Sequence, residues 1–554
     1  MHKDPPENVA AGLHAAQHCP GWWHPGNQLP DFGKDGLNGA LRRLRLPVYL
    51  VEKDGVISPE TGGIVHFGPE RMEGFPLLGY APPCLPENLG DRGFCLELGI
   101  RYPYLGGSMA KGISSVQMVE ELGRSGMLGF FGAAGLPFSE VEAAVVRLAA
   151  SLGETPHGFN LIHSPHEPEL ERELAELFIR KGVRIVEASA FLGLTLPLVR
   201  FRLHGIHRRP EGTIVAPNRI VAKVSREELA EKFMSPPPDS LIRELAASGM
   251  ITSAQAELSS HIPLAQFITA EADSAGHTDN RPAMALFPTF RSIAERLAVK
   301  YGYETRLHIG LAGGISTPAA AASAFAMGAS YVMTGSVNQA CVESGTSDEV
   351  RAMLAETRQG DVTMAPAADM FEMGVTVQVL KRGTMFPMRA ARLYELYRSH
   401  GGIAELPPVE REKLEKNLFR ATLDDVWSDT RAYFLKRDPA QAERADRDQK
   451  HRMALVFRWY LGQAAHWAKD GESSRRIDYQ IWCGPAMGAF NEWVAGSALQ
   501  PPERRRVVDV ALNILFGAAV LTRANFLRFQ GVTIPIGLPA MEPLELNQIK
   551  EYLR

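Results

Sequence analysis

Cysteine is scarce in this chain: five in 554 residues, at Cys19, Cys84, Cys95, Cys341 and Cys483, odd in number and widely spaced. A disulfide framework needs paired cysteines, so the pattern fits a reducing compartment. An excess of either charge is also lacking, since 59 Lys+Arg against 63 Asp+Glu leave a net charge of −4. A dedicated nucleic-acid binder needs a basic surplus to displace phosphate counterions, and a solvating polyanion needs an acidic one; neither class fits. The longest nearly apolar run, Val507 to Leu521, covers about 15 residues and includes Asp509, short of the roughly 20 that span a bilayer. The opening MHKDPPENVA carries early acidic residues and no apolar core, unlike a secretory signal. Also missing are a Gly-x-x-x-x-Gly-Lys-Ser/Thr phosphate loop and a second His after His166-Glu167 to complete a zinc-protease helix. His18, Cys19 and His24 cluster without recognisable ligand pairs, so no metal site is expected. With 45% apolar residues, what remains is a cytoplasmic globular protein of several parts, acting on neither nucleic acid nor membrane.

What is present is a change of texture along the chain. Residues 1–95, rich in Pro and Gly, read as a β-rich region. Within it, Asp54-Gly55 separates two strand-forming runs of Val48–Pro59 as a hairpin turn does, and Pro82–Asp91 reads as a connector. From residue 96, eight strand candidates alternate with amphipathic helices such as Val141–Leu152 and Thr289–Gly302. They are Leu105–Ala110, Met127–Ala133, His157–Ile162, Arg184–Ser189, Arg219–Val224, Phe267–Ala272, His308–Gly313 and Tyr331–Ser336. Eight βα units over 96–390 indicate an α/β fold of the (β/α)8 barrel type, whose usual size is about 250 residues. The competing arrangement is a doubly wound open sheet, but no Gly-x-Gly-x-x-Gly turn opens the region. Leu414–Arg437, His451–Lys469 and Arg506–Leu521 repeat apolar residues at helical spacing, so 391–554 is expected to be a helical C-terminal domain.

In a barrel the chemistry lies at the C-terminal ends of the strands. The seventh unit reads GLAGGISTPAAAASAFAMGA (Gly310–Ala329). Gly313-Gly314 lets backbone approach a bound group, Thr317 suits a helix N-cap and Pro318 its first position. Thr334-Gly335-Ser336 ends the next strand. One Gly-Gly turn is explained as well by a tight connection; two at adjacent strand ends point to a phosphate cradle of backbone N–H groups. The sixth strand runs into Glu271, Asp273, Ser274, His277 and Asp279, a density of titratable groups suited to acid–base work. Gly276 lets that loop turn sharply, and His277 can donate a proton near neutral pH. Gly107–Ser115 could lie flat along a planar ring, offering backbone N–H groups of Met109–Lys111. Asn160 ends the third strand and reads equally as a satisfied turn residue or as a reader of a heterocycle's imide edge. Trp482 and Cys483 read as packing around a Gly-Pro break.

On these residues the chain resembles the PfaD family, the stand-alone enoyl reductases of polyunsaturated-fatty-acid synthases and trans-acyltransferase polyketide assembly lines. The likeness runs through PLLGYAPP (Pro76–Pro83), GIRYPYLGGSMAKGIS (Gly99–Ser114), GMLGFFGAAGL (Gly126–Leu136), EADSAGHTDNRP (Glu271–Pro282) and the seventh unit. It continues in TGSVNQACVESGTS (Thr334–Ser347), VQVLKRGTMFPMRA (Val377–Ala390) and YQIWCGPAMGAFNEWV (Tyr479–Val494). The resemblance implies bound FMN, its phosphate on Gly313, Gly314, Gly335 and Ser336. Met109, Ala110, Asn160, Gly276, Ala312 and Thr334 complete the candidate cofactor residues, and His277 is the candidate catalytic residue beside the flavin. It further implies ping-pong reduction, by NADPH or NADH, of an enoyl thioester carried on an acyl carrier protein, with a homodimer allowed. A nitronate monooxygenase, sharing the barrel, is the alternative. Two residues depart from the related pattern: Ala275 stands where Gly-Gly-His has its first glycine, and Lys111 follows Met-Ala in place of a small or amide residue.

Overall fold

The eight strand candidates all form strands, and together they close a parallel barrel in this computed structural model. The structure describes residues 20–26, 36–53, 55–68, 70, 72–163 and 168–553; His18, Cys19, Asp54, His166 and Glu167 lie outside them. The strands are β1 (Tyr104–Gly106), β2 (Leu128–Phe131), β3 (Gly158–Ile162), β4 (Ile185–Ser189), β5 (Arg219–Val224), β6 (Phe267–Glu271), β7 (His308–Ala312) and β8 (Val332–Thr334). Closure is made by β8 against β1, with Val332 opposite Tyr104 and Thr334 opposite Gly106, which excludes the open sheet. Strands covered on both faces must be apolar nearly throughout, and runs such as Ile-Val-Glu-Ala-Ser in β4 and Arg-Ile-Val-Ala-Lys-Val in β5 meet that demand except at a few charged positions. Those exceptions are where the chemistry sits.

The barrel interior is filled by Leu105, Leu128, Phe130, Ile185, Val221, Phe267 and Met333, and a helix plugs it from below. That helix, Arg92–Leu98, starts where Asp91 Oδ1 accepts from Gly93 N at 2.8 Å. It drives Phe94 into the barrel, stacked on Tyr331 at 4.3 Å between ring centres and edge-on to Phe267 at 5.5 Å. This helix seals the N-terminal end, where buried His308 lies against Asp91 and Glu97, and a second charged cluster, Glu187, Lys223 and Glu271, lies at the C-terminal mouth.

Preceding the barrel, five antiparallel strands form a sheet in the order Val56–Glu60, Val48–Lys53, Phe75–Ala81, Gly21–His24, Ile64–Phe67. The first two are the expected hairpin, and Gly55 has the positive φ (+78°) such a turn demands. Beyond β8 lies an element the sequence did not announce. Gly276–His277, Thr376–Leu380 and Val362–Pro366 pair as a small antiparallel sheet, so part of 96–390 is not βα repeat at all.

The C-terminal segment 391–554 divides between two cores. Leu393, Phe419, Trp427, Phe457, Tyr460 and their neighbours make a helical core together with Val377 and Phe386. The later helices Ala486–Val494 and Val507–Phe529 belong instead to the barrel's own hydrophobic cluster. Val507–Phe529 runs well past the expected Leu521 and is long and apolar enough to cross a membrane, yet it is mostly buried inside the protein. It packs on Pro318–Ala326, so closely that a Cβ at Gly517 would sit 2.6 Å from Pro318 Cγ. Buried Asp478 ties the first of these cores together, accepting from Tyr460 Oη at 2.7 Å and pairing with Arg389 and Arg475.

Removing the plug aromatic leaves a cavity that rigid barrel walls cannot fill. Phe94→Ala is expected to cost about 3–5 kcal/mol in urea unfolding. Leu96→Ala, on the exposed side of the same helix, is expected to stay within about 0.5 kcal/mol of wild type.

Candidate active site

The two glycine turns expected to form a cradle follow neighbouring strands, β7 and β8. Gly313 has φ +85°, and a Cβ there would lie 2.7 Å from the backbone of Ala272 and Asp273, so only glycine lets the β6 and β7 loops touch. At Gly314 and Gly335 the opposite holds: an added Cβ would meet no atom within 4 Å. The turns therefore enclose open space over bare backbone. Among the described residues, Gly313, Gly314, Gly335 and Ser336 donate their backbone N–H groups to no protein acceptor. Thr317 caps the following helix, accepting from Ala320 N at 3.2 Å, with Pro318 at its first position as the sequence indicated. Ser336 Oγ accepts from Gly484 N at 3.2 Å and keeps its own O–H. Ala312 ends β7. Thr334 is turned away, its Oγ1 donating to Tyr104 Oη at 2.7 Å.

Beside the cradle, the β6 loop is held by the small sheet, with Gly276 paired to Gln378 and His277 to Val377. Gly276 takes φ +75°, the sharp turn its position suggested. Gln480–Gly484 lies along the same sheet: Leu380 N donates to Ile481 O, and Trp482 bridges Val379. Cys483 is buried there, its thiol pushed up to about 12 by that burial, so it packs and does not react. His277 Nε2 lies 3.2 Å from Asp369 Oδ1. Burial opposes a charged imidazole, but this hydrogen bond, the Asp369 charge and the charge of Glu271 outweigh it and raise His277 above its ordinary value. Asp369 is held below the usual carboxylate range despite its own desolvation, by the same hydrogen bond. Asp279, by contrast, serves the scaffold, accepting from Ser225 Oγ at 2.6 Å and both arms of Arg226.

The floor of the mouth is a buried charge network. Glu187 of β4 accepts from Ser108 N and Oγ at 3.0 and 2.6 Å and from Ser189 Oγ at 3.0 Å. Lys223 of β5 sits between Glu187 and Glu271, at 3.5 and 3.4 Å. Burial disfavours its ammonium, yet the two carboxylates prevail and hold it well above the ordinary lysine range. Burial and the charge of Glu187 raise Glu271 against the pull of Lys223. Asn160 is buried beside this network and its amide nitrogen is already engaged, by Glu187 O at 3.2 Å and Ser189 Oγ at 3.1 Å. Only its oxygen is left to face a ligand.

Met109 and Ala110 lie in the β1 loop, which presses on the end of β2: Lys111 N donates to Ala134 O at 2.7 Å, and Met109 N to Ser114 Oγ at 3.0 Å. The cradle, the β1 loop and His277 thus come from β7–β8, β1 and β6 of one mouth. Glu187, Lys223 and Asp369 escaped the sequence reading. A charged residue near the C-terminal end of an otherwise apolar strand was the available signal for the first two. Asp369 carried none, because it reaches His277 only through the sheet after β8.

Residues 400–479 match the inserted helical domain of [acyl-carrier-protein] S-malonyltransferase. The chain is 48% identical over 453 residues to a polyunsaturated fatty acid synthase protein of Thraustochytrium sp., a match covering 80% of this chain and 30% of that protein. It is 43% identical over 436 residues to polyketide biosynthesis protein PksE of Bacillus subtilis, covering 78% of this chain and 56% of PksE. The chain therefore matches between about a third and about half of the length of these relatives. Among solved structures, the enoyl reductase domain of MlnA, from the macrolactin biosynthesis cluster of Bacillus amyloliquefaciens, aligns with a TM-score of 0.76 at 39% identity. That alignment covers 79% of this chain and 99% of the MlnA domain. A match of that identity over the whole of a solved domain, on the same closed barrel, means that the chain belongs to the PfaD family, together with the MlnA enoyl reductase domain.

Proposed function

We propose that this protein is a trans-acting enoyl reductase of the cytoplasm, using FMN and NADPH or NADH to reduce the 2,3 double bond of enoyl thioesters on an acyl carrier protein. Polyunsaturated fatty acid or polyketide assembly is its setting. The observation that carries this reading is the likeness to the MlnA enoyl reductase domain over 99% of that domain. The residues present also fit FMN. Two turns whose glycines leave a gap and whose N–H groups lack partners among the described residues suit one phosphate.

In this reading Gly313, Gly314, Gly335 and Ser336 hold the phosphate, and Met109, Ala110 and Gly276 flank the ring. Bound FMN supplies two-electron hydride chemistry. The chain's own contribution is orientation and charge. His277, whose protonated form Asp369 favours, would offer a proton and a positive end at the mouth, where a thioester oxygen gains negative charge as its conjugated double bond is reduced. The small sheet with Gln480–Gly484 fixes the backbone of that histidine. Glu187, Lys223 and Glu271 hold the β1 loop through Ser108 and keep the floor polar without a free charge.

An added Cβ at Gly335 would meet no atom within 4 Å, so a side chain there fills the cradle without displacing protein atoms. Gly335→Val is expected to fold normally by circular dichroism and to purify with at least about tenfold weaker FMN affinity, equivalent to ~1.4 kcal/mol. Undiminished flavin content would place the phosphate elsewhere. Reduction of a crotonyl thioester by NADPH, without oxidation of a nitronate, is the outcome that separates this reading from a nitronate monooxygenase.

A second test uses pH. Because Asp369 raises the pKa of His277, turnover that needs the protonated imidazole is fully present below that pKa and falls as pH rises through it. Asp369→Asn is expected to move this alkaline limb to lower pH. His277→Ala is expected to lose about 10²–10⁴-fold in turnover while keeping FMN. Full activity of His277→Ala would remove the histidine from the mechanism.

A further inference from the structure

The long helix Gln449–Asp470 crosses the mouth with one particular face. Arg458, Gly462, His466 and Lys469 follow one another at spacings of four, four and three, which places them on one side of a helix. All four are half-buried. Arg458 Nη1 is 3.2 Å from Glu372 in the loop that carries Asp369, and its charge bears on Asp369. The carbonyl of Gly462 accepts from Lys111 Nζ of the β1 loop at 3.3 Å. Ser347 Oγ, beyond β8, donates to Ala468 O at 2.7 Å. The face thus leads from the His277–Asp369 pair to the β1 and β8 loops, about 16 Å along the helix from Arg458 to Lys469.

Two features mark this face as an entrance. Glycine in a helix interior costs about 1 kcal/mol relative to alanine, and at Gly462 a Cβ would meet nothing within 4 Å. The helix is bare where it passes Lys111, and the space beside it is open. The second feature is positive charge. Lys111 is held in the left-handed region at φ +57° and gives its ammonium to a backbone carbonyl instead of a carboxylate. Burial first, then Lys469 and Arg437, bring its pKa down to about 8 against the opposing charge of Asp470. His466 is lowered to about 4 by burial and by Lys111 and Lys469, again with Asp470 opposing. Around this gap Lys111, Lys469 and Arg437 outnumber Asp470, and such a surplus of positive charge suits an anionic group.

We propose that this slot admits the phosphopantetheine arm of the acyl carrier, Lys111 and Lys469 meeting its phosphodiester while the bare helix at Gly462 lets the thioester pass on to His277. The inference rests on the enoyl reductase reading above and deepens it. The phosphates of NADPH are the other source of such an anion, and the experiment separates the two.

Stopped-flow measurements on the FMN-loaded enzyme follow flavin reduction by NADPH and NADH, then reoxidation by crotonyl-phosphopantetheine or phosphate-free crotonyl-pantetheine. Calorimetric titration with the matching butyryl thioesters reads binding alone. For Lys469→Glu, reoxidation and binding are expected to weaken about ten- to a hundredfold with the phosphorylated thioesters, and by less than about twofold with the phosphate-free ones. Equal losses with both thioesters, or a loss confined to reduction by NADPH, would overturn the proposal. Gly462→Leu, a better helix former, is expected to keep or raise the thermal midpoint while slowing reoxidation by both thioesters at least about tenfold; unchanged reoxidation would overturn it equally. A wild-type enzyme that neither thioester reoxidises sinks the enoyl reductase reading itself, and the slot with it.

Discussion

Closure of the parallel barrel from below is the constraint on which the rest of this molecule depends. A parallel sheet covered on both faces has no room for unpaired polar groups. Once Phe94 and its helix fill the N-terminal end, the C-terminal rim is where charged side chains can be carried by the strands themselves. The two glycine turns, Glu187, Glu271 and His277 are gathered at that rim, while at the other end buried His308 lies against Asp91 and Glu97 of the plug.

The charge network on the floor shows how the barrel tolerates ions it cannot leave exposed. Lys223 alone between β-strands would be prohibitively desolvated, and so would Glu187. Placed together with Glu271 and supplied with hydroxyl and N–H donors from Ser108, Ser189 and Ser274, they form a satisfied unit. Breaking such a unit is costly, because the residue left behind keeps its charge without its partner. The unit also binds the β1 loop to β4, so that loop is fixed by the hydrogen bonds of Ser108 to Glu187 as well as by its contact with the end of β2.

The chain after the barrel acts on the site twice. Its small sheet fixes His277 and, through the loop between Pro366 and Thr376, brings Asp369 to it. Its helical segment, which matches an inserted domain found in an acyl-carrier-protein transacylase, lays the face of Gln449–Asp470 across the mouth. The chain then returns, and Val507–Phe529 packs on the helix that follows β7, burying a side that alone would suit a bilayer. The helical segment is thereby held at both ends by parts of the barrel unit.

The sequence by itself determined the eight strands, the barrel, the two glycine turns and the histidine loop. Each is a local matter: strand-forming runs at βα spacing, glycines where backbone must turn or approach, titratable residues just past a strand. It also carried, through motifs in a fixed order, the family. Strand ends were less legible: the ladders stop at Gly106, Phe131 and Thr334, while apolar residues such as Met109, Ala110 and Ala133 carry the composition further. What only the tertiary structure decided is every pairing across long separations: Asp369 with His277, Lys223 with Glu187 and Glu271, Lys111 with Gly462, and the return of the last helices to the barrel core. Those contacts arise when closure of the sheet and folding back of the chain bring distant segments together, and no periodicity within a segment records which partner it will meet.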